Sequence, residues 1–304
     1  GRRACPPEDI GGIGGHQELL DALAGQLPSG ADEEWIEELL AWLPDDYDPA
    51  AFSVDEVNEQ LLAAPLPDLA NWHPLIADLL DRYHGGPLSP LGRLIKDATT
   101  GATDLSDAQA QGAVRRYQHL LRTIGDGVKL TAAGYLPPRI VHAPYLELGL
   151  HQRWIGAGNR EDQTLPVLDL RETATALGLL RTHNGRLSLT RFATQHLDDP
   201  RALLAHIGSR LPLGRPYERD AGLVALLQAA VGQPLVDLDQ YAGGILLDVG
   251  WRVDGATIEQ AARQWTWPTM SVFEILTADT TDPGLRATIA RSLLHRGGPA
   301  PKHG

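Results

Sequence analysis

LLRTIGDGVKLTAAGYL, residues 120–136, and LLRTHNGRLSLTRFATQHL, residues 179–197, repeat one pattern. Each copy runs from a helical Leu-Leu-Arg-Thr into a glycine turn, then a short β pattern, then a Leu-Thr pair that opens another helix. Self-similarity of this kind marks a recurring structural unit. Leu130-Thr131 correspond to Leu189-Thr190, and each threonine is placed to cap the helix that follows it through its hydroxyl. In the second copy, Asn184-Gly185 is a two-residue hairpin signal. A type I′ turn needs positive φ at both central positions, which asparagine and glycine tolerate. Leu180 on one side, and Leu187 and Leu189 on the other, supply the strands with apolar residues.

Helix, hairpin and helix with the signature LGLLRxxNGRLxLT resembles the wing region of winged-helix modules. The pattern predicts two tandem winged-helix-like units, at about residues 106–150 and 160–210, in a mostly α protein whose only strands are short hairpins. The resemblance implies that the helix before each wing enters a major groove and that the wing touches phosphate. The second unit's helix, from Asp169 to Leu179, sets Arg171 against Asp169 and Glu172 and is a poor surface for reading bases. In the first unit, Arg115, Arg116, His119, Arg122 and Lys129 are opposed mainly by Asp107 and Asp126. The second wing adds Arg181, His183, Arg186 and Arg191. These basic residues are the candidate contacts for nucleic acid or for a partner protein. Scattered arginines are ordinarily a solvated face, and winged-helix folds also serve as protein-docking modules.

At 304 residues the chain has room for about two domains, and an apolar share of 43% is enough to build cores. The single cysteine, Cys5, cannot form an internal disulfide, which fits a reducing, cytoplasmic compartment. No apolar run approaches the ~20 residues that span a bilayer, so no membrane partner is expected. The opening GRRAC, with Met270 as the sole methionine, reads as a trimmed or tagged piece of a longer product. The net charge of −13 is concentrated: residues 1–60 hold 2 basic and 15 acidic side chains, leaving 24 of each in the remainder. The first segment would repel a phosphate backbone, and the neutral remainder does not advertise affinity for one.

Near the N-terminus, Gly11, Gly12, Gly14 and Gly15 invite a phosphate-cradle reading. Their spacing misses G-x-G-x-x-G, no strand precedes them, and the Lys-Ser/Thr of a P-loop is absent. They are read as a turn leading into a helix that begins near His16. Leu19, Leu20, Leu23 and Leu27 recur at helical spacing, as do Trp35, Ile36, Leu39, Leu40 and Leu43, and Ser53-x-x-Glu56 is a capping box for a third helix. Glu33, Glu34, Glu37 and Glu38 fall mostly opposite Trp35 and Leu39, as a solvated face does, and lack the interleaved donors of a cation loop. Cys5-Pro6-Pro7-Glu8-Asp9, the glycines after it, and Asp46-x-Asp48-Pro49-x-x-Phe52 before Val57-Asn58 resemble the end of the plasmid pRiA4b ORF-three-like domain, over about residues 3–62. Members are associated with mobile elements, and no established chemistry accompanies the family. The resemblance implies a larger, strand-containing portion upstream.

Four regions follow: an acidic helical tail at 1–62, a linker-like Pro/Gly-rich segment with short helices at 63–105, the tandem units at 106–210, and a C-terminal helical region at 211–304. Within the linker-like segment, a domain boundary is expected near residues 85–90. In the last region Trp265, Trp267 and Phe273 read as core. The sequence contains no G-x-S-x-G elbow, no H-E-x-x-H and no cysteine pair. His142 and His151 have no ligand-like spacing, so no cofactor or metal is implied. The expected role is a non-catalytic adaptor or regulatory protein, linked through the resemblance to mobile genetic elements, with protein as its partner and nucleic acid as a weaker candidate. The alternatives are a winged-helix DNA-binding transcriptional regulator, and a hydrolase or nuclease whose active site needs the upstream portion.

Overall fold

A computed structural model describes residues 12–26, 40–41, 43, 68–83, 89–152, 154–233, 238–253, 255 and 257–296. The chain divides into two units, Gly1–Pro65 and Leu66–Gly304. In the first unit, helix α1 spans Gly12–Leu23. It therefore starts four residues before His16 and takes Gly12, Gly14 and Gly15 into its first turns instead of leaving them as a turn. Glycine's low helix propensity is a weak preference that an apolar face overrides, and here Leu19 is fully buried. The readings placed on Cys5, Trp35, Leu39, the Glu33–Glu38 carboxylates and the Ser53 cap lie outside the described residues.

The second unit begins with α2 (Pro74–Arg82) and α3 (Pro90–Thr100). Proline fixes φ near the helical value and lacks the N–H that a first turn leaves unpaired, so it starts helices well. His73 and Ser89 cap these two helices, the first through Nδ1 and the second through its hydroxyl. Ile76, Leu79, Leu91 and Ile95 are fully buried. The segment expected as a linker thus holds two core helices, because its prolines mark helix starts, and the chain divides just inside its beginning, after Pro65, and not near residues 85–90.

Next come α4 (Asp107–Ile124), β1 (Val128–Lys129), α5 (Pro138–Glu147), α6 (Leu165–Ala176), β2 (Leu180–His183), β3 (Arg186–Leu189) and the short α7 (Arg191–Gln195). Ser106 and Gln109 form a reciprocal capping box on α4, and the Thr190 hydroxyl caps α7 as its position in the repeat requires. Asn184 and Gly185 have φ of 48° and 70°, giving the hairpin turn between β2 and β3. The strands form one antiparallel sheet in the order β1-β3-β2, with Val128 opposite Leu187 and Lys129 opposite Arg186. The two repeats therefore contribute to a single sheet. The first copy turns away after Leu130, through Thr131 N–H to the Tyr135 carbonyl (2.8 Å), and builds no hairpin of its own. Tyr117, fully buried on α4, donates its hydroxyl to Thr173 Oγ1 on α6 at 3.0 Å and joins the helices beneath the sheet.

Helices α8 (Pro200–Arg210), α9 (Pro216–Ala230), α10 (Leu238–Asp248), α11 (Ile258–Thr277) and α12 (Pro283–Leu294) complete the unit. Residues 220–230 of α9 are all buried, so α9 is surrounded, with α2, α3, α10, α11 and α12 packed on it. A Cβ at Gly222 would meet Thr269 Oγ1 of α11 at 2.3 Å. Only glycine permits that approach.

Two outcomes follow. Nothing lies within 4 Å of a Cβ built at Gly185, so Gly185→Val is penalised by backbone conformation alone. The expected cost is about 1–2 kcal/mol, read as a lower thermal midpoint. His73 is buried, its Nδ1 accepts from the Leu75 N–H at 3.2 Å, and burial, with Arg296 and Arg219 nearby, lowers its pKa from 6.5 to about 4. Between those pH values the unfolded chain binds a proton that the folded chain refuses. Stability from this group is full above pH 6.5 and falls as pH drops to about 4. His73→Asn keeps a capping acceptor and should flatten that part of a melting-against-pH curve.

Candidate interaction surfaces

Of the basic residues of the first unit, Arg115, Arg116, His119 and Arg122 lie along α4 and are engaged by carboxylates from other parts of the chain. Arg115 reaches Asp279 Oδ2 through Nε at 3.0 Å and Nη2 at 2.7 Å, and Arg116 Nη2 reaches Oδ1 of the same carboxylate at 2.7 Å. Burial by itself would raise the Asp279 pKa, but the hydrogen bonds from Arg116 and Arg115 outweigh it and hold the carboxyl below its ordinary range. Arg122 Nη2 lies 2.7 Å from Asp198, an exposed pair of small energetic value. His119 Nδ1 lies 3.6 Å from Glu147, and burial, with Arg115 and Arg122 beside it, lowers its pKa despite that carboxylate. The face read as a nucleic-acid candidate is thus largely balanced from within.

The sheet is different. Alternation places Leu180, Leu187, Leu189 and Val128 on the inner face, and Arg181, His183, Arg186, Ser188 and Lys129 on the outer face. Lys129, Arg186 and His183 are opposite one another across the three strands, and all three are exposed. Arg181 is exposed one row along, opposite Ser188. Arg186 Nη2 donates to the Gly127 carbonyl at 2.8 Å, and no carboxylate belongs to this outer face. Arg191, exposed at the start of α7, lies beyond the sheet. The structure thus gathers Lys129, Arg181 and Arg186 and separates them from the α4 arginines.

Helix α6, which precedes the hairpin, packs on α4, α5, β2 and α11. Its Arg171 Nε donates to Glu161 Oε1 at 2.5 Å. The Glu161 side chain is fully buried and also accepts the Leu136 N–H at 2.6 Å. Between α6 and α11 lies a cleft of about 220 Å³, lined by residues that include Arg116, Leu150, Pro166, Asp169, Trp267 and Glu274. Burial, then Glu172, raises the Asp169 pKa. Burial also raises that of Glu274, with Asp169 adding to the shift and Arg286 opposing it. Phe273 is core as expected, Trp265 is half-buried, and Trp267 is 53% exposed. Aromatic density within a helical stretch cannot by itself tell which ring faces outward, so Trp267 is a surface residue that the sequence reading missed.

Among the described residues, no group of three or more His, Cys, Asp or Glu side chains is placed to hold a metal ion. His142 and His151 flank Tyr145 at ring distances of 6.4 and 6.1 Å. No described helix is long and apolar enough to cross a membrane.

Residues 1–56 match the family model of the plasmid pRiA4b ORF-3-like protein. No curated protein and no solved structure matches the chain.

Asp279→Asn removes the anion shared by Arg115 and Arg116. The Arg116 side chain is only 12% exposed, so water replaces that partner incompletely. The expected loss is about 1–2 kcal/mol in a thermal or urea melt. Combined with Arg116→Ala, the loss should be less than additive.

Proposed function

We propose that the two repeats together form one winged-helix module, residues 107–195, and that the protein is a non-catalytic adaptor or regulatory protein acting through polypeptide contacts in the cytoplasm. The order of helix, strand, two helices and hairpin, with the first strand on the open edge of the hairpin, supports the module. The observation that carries the adaptor reading is the packing of α6 on α11. A winged-helix protein that reads DNA inserts the corresponding helix into the major groove. Here α6 is covered on one side by α11 and carries Asp169 and Glu172, so it is ill suited to approach a polyanion. The match over residues 1–56 supports a connection to mobile genetic elements through the family's name.

A second reading rests on the outer face of the sheet, where Lys129, Arg181 and Arg186 have no ion-pair partner among the described residues. That face favours a nucleic-acid backbone contacted by the wing alone. The deciding experiment titrates a random-sequence duplex at two salt concentrations against the full chain and a Lys129→Ala, Arg181→Ala variant. Each neutralised phosphate contributes about −0.9 to the slope of log K against log salt. The adaptor reading expects no submicromolar binding at physiological salt. Submicromolar, steeply salt-dependent binding that the variant loses would replace it with the nucleic-acid reading.

A further inference from the structure

The cleft between α6 and α11 has a composition that selects its occupant. Its volume, about 220 Å³, is below the 300–1,000 Å³ typical of small-molecule sites and suits a single side chain. Two carboxylates line it, Asp169 from α6 and Glu274 from α11. They sit close enough for Asp169 to disfavour ionisation of Glu274. Neither carboxylate accepts a hydrogen bond from another described residue, although a carboxylate has room for several donors. The cations nearby have other engagements. Arg116, which lines the cleft, is held by Asp279 at 2.7 Å. Arg286 lies over the Phe273 ring at 5.4 Å and donates to the Thr277 carbonyl at 3.4 Å. Beside the carboxylates stands Trp267, a half-exposed indole whose face attracts cations.

We propose that this cleft receives an arginine side chain of a partner polypeptide, stacked on Trp267 and hydrogen-bonded to Asp169 and Glu274. Arginine fits better than lysine for two reasons. Its planar guanidinium can stack on an indole while forking its donors toward carboxylates, and it is more weakly hydrated than an ammonium, so partial burial costs it less. A polypeptide fits better than a free amino acid because the surroundings are apolar. Leu150, Pro166 and Ile275 also line the cleft, and Leu165, next to Pro166, is 45% exposed. An arginine flanked by large aliphatic residues would cover this patch while placing its charge between the carboxylates. The inference rests on the adaptor reading and names the partner's chemistry.

The test is calorimetric titration of the full chain with a blocked leucine–arginine–leucine peptide and with its glutamine counterpart. The arginine peptide should bind saturably at millimolar concentration or below, and the glutamine peptide about tenfold more weakly or worse. Trp267→Ala, and separately the pair Asp169→Asn and Glu274→Gln, should each cost about tenfold in affinity for the arginine peptide. Thermal melts of both variants should match the parent, because Trp267 is half-exposed and neither carboxylate makes a hydrogen bond that the fold needs. Equal binding of the two peptides, no saturable binding of either, or variants that bind as the parent does would each overturn the proposal. None of these substitutions touches the outer face of the sheet. Tight duplex binding together with arginine-selective peptide binding would therefore discard the adaptor reading and keep the cleft. The opposite pair of results would do the reverse.

Discussion

Asp220 is 5% exposed within α9, and an ionised carboxylate in such a place costs several kcal/mol unless donors surround it. Three donors do. Arg82 of α2 offers Nη1 and Nη2, each at 2.8 Å, and Trp251, beyond the end of α10, offers its indole N–H at 2.8 Å. From Ala221 to Ala230 α9 is buried on every side, with Gln228 as its one polar side chain there, so this stretch can exist only inside a ring of other helices. The Asp220 pairing places α2 and the Trp251 segment in that ring, and the bare backbone at Gly222 sets how near α11 can come. Because α11 is held there, its far side is available to α6. The covered surface of α6, the carboxylate cleft and the exposure of Trp267 all descend from the burial of residues 220–230 of one helix around a single carboxylate.

Local signals were legible. Asn184-Gly185 encodes its own turn through positive φ, and Thr190 caps the helix after the sheet. These depend on residues within a few positions of one another. What was not legible depends on distance. β1 finds its partner in a strand nearly sixty residues later, and a two-residue strand carries too little pattern to announce its register. The same holds for electrostatics. Arg115 is 164 residues from Asp279 and Arg122 is 76 from Asp198, so counting nearby charges could not foresee that the α4 arginines are neutralised. The proline-rich stretch around α2 and α3 misled for a different reason. Proline marks a break in the chain path, but whether the break opens a linker or a helix is decided by the aliphatic residues that follow.

Two groups of charges in the second unit, each without an ion pair among the described residues, differ in sign. Among the described residues, Lys129, Arg181 and Arg186 on the outer face of the sheet have no ion-pair partner, and Asp169 and Glu274 in the cleft have no hydrogen-bonded donor. Both surfaces belong to the second unit and both touch the same short stretch of chain, since β2 begins four residues after α6 ends. Helix α6 is held by Tyr117 through Thr173 and by the buried Glu161 through Arg171, so neither surface needs to be ordered by its ligand. Preorganised contacts lose less entropy on association, and complementary charge gives specificity and faster encounter more than raw affinity. On the adaptor reading proposed above, the partner would be a polypeptide that brings positive charge to the cleft and negative charge to the sheet. A uniform polyanion such as a nucleic-acid backbone would find one surface favourable and the other repulsive. That asymmetry in the fixed charges, more than the topology of the hairpin, separates the two proposed readings of residues 107–195.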